Sequence, residues 1–286
     1  MKVTILEPSG YCSGVNNAMN LAIKTKKENP SKSIVILGML VHNQESLKTL
    51  KNLGINTIYD KDCSLEQLAT RIESPSIVIL TAHGHSNNVE EILKNHGHSI
   101  VDATCPFVKN SFKEILNAIN NGYSVFYIGV KNHPEANAAL SISKDVSLID
   151  VKNPIIPDDK TRVLVISQTT LSKFEISQIN EQIKEKYPNA EFLSGICNAS
   201  TKRQESIMNI SNDADLILVV GDSNSNNSKT LYSLAKNTYK NISVKLIENE
   251  NDINKKDLLG LSNIVIASGA STPKEVILRV KDKLLN

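Results

Sequence analysis

A threefold internal repeat constrains this chain more than any other feature. Cys12, Cys105 and Cys197 stand 93 and 92 residues apart in a chain of 286. Each follows a β-like or turn segment ("KVTILEPSGYC", "HSIVDATC", "AEFLSGIC") and precedes a stretch that suits a helix. After Cys12 the residues Val15, Ala18, Met19, Ala22 and Ile23 mark an amphipathic helix. Val108, Phe112, Ile115, Leu116 and Ile119 do much the same after Cys105, and the pattern is weaker after Cys197. A second element repeats in register. Apolar strands end at Gly38, Gly129 and Gly221, and four residues beyond each glycine stand His42, His133 and Ser225. A third set, "SIVILTAHGHS", "RVLVISQTTLS" and "NIVIASGASTP", brings His83, Thr169 and Ser271 to strand ends. Cys63 has no counterpart in this series and reads as structural or exposed.

Runs such as "IVIL", "VLVI" and "LILVV" suit strands buried on both faces, as in parallel sheets, and they alternate with helical stretches at Glu175 to Lys186 and Ser228 to Lys236. The expectation is an α/β fold of three repeated units: residues 1–101 with Cys12, 102–194 with Cys105, and 195–286 with Cys197. In parallel α/β units ligands bind at the carboxyl ends of the strands. Packing around a pseudo-threefold axis would bring three thiols and a ring of polar groups to one central pocket.

Composition narrows the function classes. Apolar residues make up 40% and charged residues 22%, with a net charge of +2, and the lysines are scattered among carboxylates rather than forming a basic stripe. Small molecules are therefore the expected partners, not nucleic acid. The short stretch Val3 to Leu6 before Pro8 is far short of a signal-peptide core, and no run approaches the roughly 20 residues of a membrane span. A cytoplasmic protein with reduced thiols is expected.

Three thiolates could hold zinc with an open position, or three irons of a 4Fe-4S cluster with the fourth iron left free. Glu135, in "HPE" after a strand end, is a candidate general acid, because a carboxyl in a closed pocket can carry its proton near neutrality. "SNSNNSK" before a helix and "GASTPKEV" are loops suited to phosphate, through Ser side chains and backbone N–H groups. With His42, His83 and His133 they compose an anion pocket. His85, His96 and His98 are expected at the surface.

In order along the chain, "GYCSGV", "VHN", "AHG", "DATCP", "NHPE", "SQTTLS", "ICNAS" with "RQ", "NSNNS" and "SGASTP" resemble the 4-hydroxy-3-methylbut-2-enyl diphosphate reductases of the methylerythritol phosphate route to isoprenoids. The resemblance covers nearly the whole chain. It implies a trefoil-like set of three α/β units around a 4Fe-4S cluster ligated by Cys12, Cys105 and Cys197, with the substrate hydroxyl at the fourth iron. It implies diphosphate binding by His42, His83, His133, Ser225, Asn227 and Ser271, and proton donation by Glu135. Thr169 would orient the substrate hydroxyl and relay protons. The implied reaction is reductive dehydroxylation to isopentenyl and dimethylallyl diphosphate, in a monomer that takes electrons singly from ferredoxin or flavodoxin. The chain departs from the family pattern at several points. Ser9, Gly10 and Tyr11 replace Arg-Gly-Phe, and Asn132 replaces a Gly. "ANAALS" replaces a Gly-Thr-rich segment, and Asn226 stands where the phosphate loop usually has a second Ser, so its amide either replaces that hydroxyl or leaves the phosphate with one donor fewer. Two other readings predict different features. A quinolinate-synthase-like dehydratase calls for a more cationic pocket, and a cluster-based redox sensor needs no acid such as Glu135.

Overall fold

The structure, a computed structural model, describes residues 1–286 except Lys255 and Asp257. Its first part contains β1 (Lys2–Ile5), α1 (Ser13–Glu28), β2 (Ile34–Leu37), α2 (Gln44–Asn52), β3 (Ile55–Ile58), α3 (Leu65–Ala69), β4 (Ile77–Leu80), α4 (Asn87–Asn95) and β5 (Ser99–Asp102). There follow α5 (Pro106–Asn120), β6 (Ser124–Gly129), α6 (Pro134–Leu140), β7 (Val146–Asp150), β8 (Val163–Ser167), α7 (Lys173–Lys186) and β9 (Glu191–Phe192). The last part contains α8 (Asn198–Met208), β10 (Leu216–Val220), α9 (Asn226–Thr238), β11 (Ser243–Ile247), β12 (Asn263–Ser268) and α10 (Lys274–Leu285).

The strands form three four-stranded sheets in which every pairing is parallel, as the unbroken apolar runs predict. Their orders are β3-β2-β4-β5, β7-β6-β8-β9 and β11-β10-β12-β1, which is one order repeated three times. The two central strands of each sheet carry its apolar runs. In the third sheet Leu216, Leu218 and Val220 face one cluster with α10, while Ile217 and Val219 face another with α9, the period-two split of a strand covered on both sides. Burying each such side chain contributes roughly 1.5–3 kcal/mol.

The first strand differs from expectation. It does not join residues 1–101 but pairs with β12, Lys2 opposite Asn263 through Ile5 opposite Ile266. The same rule governs β5 and β9: a strand that leads into a cysteine closes the sheet of the preceding third. For Cys12 that sheet lies at the other end of the chain. The chain forms two compact units. One comprises Met1–Asn16, Val41–Lys48 and Cys197–Asn286 and holds the third sheet; the other comprises Asn17–Leu40 and Thr49–Ile196 and holds the first two. Among the described residues no helix is long and apolar enough to cross a membrane.

Candidate active site

In the larger unit the central strands β6 and β8 are neighbours whose successors leave toward opposite edges, and in open α/β sheets ligands bind at the carboxyl ends of such a pair. His133, Glu135 and Thr169 all follow these ends. His133 caps α6, its Nδ1 accepting from the Glu135 N–H at 3.2 Å. Asn132, where the family pattern has Gly, sits at φ 65°, a left-handed conformation that Asn adopts more readily than most residues. The turn is thereby kept. The "ANAALS" segment forms α6, and Ala136 and Ala139 pack into the apolar cluster beneath it.

Glu135 is fully buried. Its Oε1 accepts from the Thr169 N–H at 2.8 Å and from the Tyr127 hydroxyl at 3.0 Å, and its Oε2 is 2.8 Å from the Thr169 hydroxyl. Burial pushes its pKa up to about 7, although the bonds from Thr169 and Tyr127 favour the carboxylate and pull it down. With two donors already on Oε1, an acid proton belongs on Oε2, facing the Thr169 hydroxyl. The loop that carries Thr169 is fixed by Gln168, whose Oε1 accepts from the Val130 N–H at 3.0 Å and whose amide donates to the Thr170 hydroxyl at 2.9 Å.

His83 follows β4, and its ring meets that of His133 edge-on, with centroids 5.5 Å apart. Gly84 behind it has φ +85°, and a Cβ there would lie 2.5 Å from the Phe112 ring. Only glycine lets the His83 turn approach α5 so closely. Cys105 caps α5, and its N–H donates to the Ala82 carbonyl at 3.0 Å.

The other unit holds Cys12 and Cys197, each immediately before a helix. The Cys12 Sγ accepts from the Val15 N–H and the Cys197 Sγ from the Ser200 N–H, both at 3.4 Å. Arg203 on α8 is 3% exposed; burial pulls its pKa down, and the charges of Cys12 and Cys197 oppose that shift. Ser225 caps α9 through the Ser228 N–H, and Asn226 occupies the first helical turn, half-buried. Asn227 donates to the Ser200 hydroxyl at 3.4 Å and accepts from the Ala270 N–H at 2.8 Å, tying the loops after β10 and β12 together. Ser271, after β12, donates to the His42 carbonyl at 3.3 Å. Burial lowers the pKa of His42 and the Lys229 charge adds to this, while Asp222 opposes it. At Gly221 a Cβ would meet the Ser228 hydroxyl at 2.2 Å, which accounts for this copy of the repeated glycine.

Glu135 and Thr169 are therefore directly bonded and His83 meets His133, while the buried Arg203 bonds the Gly10 carbonyl, near Cys12, from the helix that Cys197 caps. Cys105 lies in the other unit from these two. Tyr127 escapes sequence reading, because a Tyr within "SVFYIG" looks like core; Arg203 stands in the "RQ" that accompanies "ICNAS", but its burial does not show there, because an Arg on a helix looks like surface. The signal for Arg203 is its register. Ser200, Arg203, Gln204 and Ile207 are the buried residues of α8, a helical period carried by polar side chains. His98 corrects the expectation of a surface residue: it is 7% exposed, its Nδ1 accepting from the Ser76 N–H and its Nε2 buried without a partner. Cys63 is half-buried, and its thiol donates to Asp60.

Among the described residues no three His, Cys, Asp or Glu side chains are grouped to hold a single metal ion. A cluster makes a different demand, since each thiolate binds its own iron. The donor set fits that demand: Cys12, Cys105 and Cys197 are thiols outside any disulfide, each at the start of a helix, and Arg203, a buried cation, bonds the Gly10 carbonyl two residues before Cys12 from the helix that Cys197 caps.

The family model described as LytB protein matches residues 3–285. The chain is 38% identical over 281 residues to the 4-hydroxy-3-methylbut-2-enyl diphosphate reductase of Malacoplasma penetrans (strain HF-2), covering 96% of this chain and 93% of that one. It is 40% identical over 290 residues to the reductase of the same name from Bacillus cereus (strain AH820), covering 97% and 89%. Among solved structures it is similar to the E-1-hydroxy-2-methyl-but-2-enyl-4-diphosphate reductase from Plasmodium falciparum. The TM-score is 0.88 at 27% identity, over 100% of this chain and 88% of that one. A second, (E)-4-hydroxy-3-methyl-but-2-enyl diphosphate reductase, described as the terminal enzyme of the non-mevalonate pathway, matches with TM-score 0.68 at 27% identity, over 100% and 99%.

Proposed function

The chain belongs to the LytB protein family, and from this we propose that it reduces 4-hydroxy-3-methylbut-2-enyl diphosphate to isopentenyl and dimethylallyl diphosphate. Two electrons and two protons enter, the allylic C–O bond breaks, a C–H bond forms and water leaves. Cys12, Cys105 and Cys197 would hold a 4Fe-4S cluster. When bound, the cluster supplies single electrons and Lewis acidity toward a hydroxyl oxygen.

The chain's own residues do the rest. Glu135 holds a proton on Oε2 against the Thr169 hydroxyl, so Thr169 passes it to the departing oxygen while the Tyr127 and Thr169 N–H bonds keep Oε1 fixed. Ser225, Asn226, Asn227 and Ser271, at the start of α9 and after β12, bind the diphosphate, aided by the helix N-terminus. His42, His83 and His133 donate to it as well. Burial keeps His42 neutral, so it binds as a hydrogen-bond donor rather than as a cation. The diphosphate fixes the substrate so that its hydroxyl meets the acid, and the closed loops exclude water. The protein would work as a cytoplasmic monomer fed by ferredoxin or flavodoxin.

The observation that carries this reading is the fully buried Glu135, poised near neutrality and bonded through both oxygens to Thr169. Anaerobic reconstitution tests it. The protein should turn brown and convert the hydroxylated diphosphate in a single turnover with a reduced mediator. Colourless protein after full reconstitution overturns the cofactor, and brown protein without turnover overturns the reaction.

A further inference from the structure

Arg203 is a buried cation that the proposed chemistry leaves unused. Its Nη2 donates to the Gly10 carbonyl at 2.6 Å and its Nη1 to the Ala199 carbonyl at 3.3 Å. Gly10 stands two residues before Cys12, and Ala199 two residues after Cys197. One guanidinium therefore joins the loop that carries one thiol to the helix that carries the other. Its Nε is buried and has no hydrogen-bond partner. Among the described residues Arg203 forms no ion pair with a carboxylate; charge on Cys12 and Cys197 favours its cationic form, and Glu7, which is exposed and already accepts from Ser9, does so less.

A buried guanidinium without a carboxylate is costly unless another anion is present. The two thiolates are the anions at hand, and anything they ligate inherits their negative charge. The planar fork also does what a lysine cannot, since two of its nitrogens bind two separate carbonyls at fixed geometry.

We infer that Arg203 is a positioning residue with two roles: it clamps the Cys12 loop to the start of α8, and it is the fixed counter-charge that makes the group bound by these cysteines easier to reduce. This rests on the reading that Cys12 and Cys197 ligate a cluster. Net charge and hydrogen bonding are among the factors that set cluster potentials, so removing a buried positive charge should lower the potential.

The experiment compares wild type, Arg203→Lys and Arg203→Met after anaerobic reconstitution. Iron and sulfide are assayed, the reduced fraction is followed by electron paramagnetic resonance in a redox titration, and iron release to a chelator is timed. At fixed poise Arg203→Met should show at least a tenfold lower ratio of reduced to oxidised cluster, a midpoint shift of about 59 mV or more for a one-electron couple. Arg203→Lys should keep the wild-type ratio within about twofold but release iron several-fold faster, because its single nitrogen lacks the rigid fork that holds the two carbonyls at fixed geometry. An unchanged ratio in the Met variant overturns the counter-charge. If that variant does not fold, a wild-type ratio and a wild-type release rate together in the Lys variant overturn the clamp. Failure of wild type itself to take up iron overturns the ligand assignment instead, and with it the premise.

Discussion

Replacing Tyr127 with Phe removes one hydroxyl and nothing else. The ring stays in the apolar cluster, so the fold should be kept. Glu135 Oε1 loses one of its two donors, the bond of 3.0 Å, and retains the Thr169 N–H at 2.8 Å. A hydrogen bond to a charged acceptor is worth about 1.5–3 kcal/mol and one to a neutral acceptor about 0.5–1.5. The lost bond therefore favours the carboxylate over the acid by roughly 1.4 kcal/mol, tenfold in the ionisation equilibrium. In the proposed reaction Glu135 acts as its acid form, so turnover should fall as pH rises through about 7, and Tyr127→Phe should move that fall to higher pH. The acid also becomes weaker, which lowers the low-pH plateau by roughly threefold if the proton is about half transferred in the transition state. Single-turnover rates of pre-reduced protein between pH 5 and 9.5 measure both effects, and isotope-edited infrared spectra of the Glu135 carboxyl measure the ionisation without catalysis. An alkaline limb that stays put or moves to lower pH refutes the argument.

Glu135 also links stability to pH. Its folded pKa lies above the ordinary value of 4.5, so its favourable contribution is complete below 4.5 and is lost as pH rises through about 7. Glu135→Gln should match wild type in denaturant melts at pH 5 and exceed it by up to about 3 kcal/mol at pH 8.5, while binding substrate and losing most turnover. Gly221→Ala forces a Cβ toward the Ser228 hydroxyl at 2.2 Å, and a loss of about 1–3 kcal/mol is expected in the same melts. Asn132→Gly should leave stability within about 1 kcal/mol, because Gly accepts the φ of 65° at least as well, whereas Asn132→Val should lose more. Cys105→Ser should retain the fold by circular dichroism but lose most of the iron of reconstituted protein.

The sheets were legible because their central strands carry nearly continuous apolar runs, and because three copies of one pattern reinforce each other. Gly38, Gly129 and Gly221 mark the ends of equivalent strands for that reason. What stayed hidden was polar burial. The weak periodicity after Cys197 is real if measured by hydrophobicity alone, since α8 turns Ser200, Arg203 and Gln204 inward where α5 turns Val108 and Ile115. Tyr127 was hidden for the opposite reason. Its ring belongs to the core, and only its hydroxyl reaches Glu135, the proposed proton donor. His98 was missed because a histidine's exposure depends on residues distant in sequence, here Ser76.

The placement of β1 bears on how the site can be built. If β1 had stayed with the first third, Cys12 would follow a strand in the sheet of β2 and β4. Pairing with β12 instead sets Cys12 beyond the sheet that also carries Ser225 and Ser271 at its strand ends, and the Cys12 N–H donates to the Ala270 carbonyl at 3.0 Å. One amide bond thus joins a proposed cluster ligand to the loop of a proposed diphosphate ligand. Closing the last sheet with the first strand therefore has a chemical consequence as well as a topological one. A shift of the Ser271 loop cannot occur without strain on the Cys12 backbone, which is the coupling that an enzyme needs if it is to hold its cofactor and its substrate's charged end at a fixed separation.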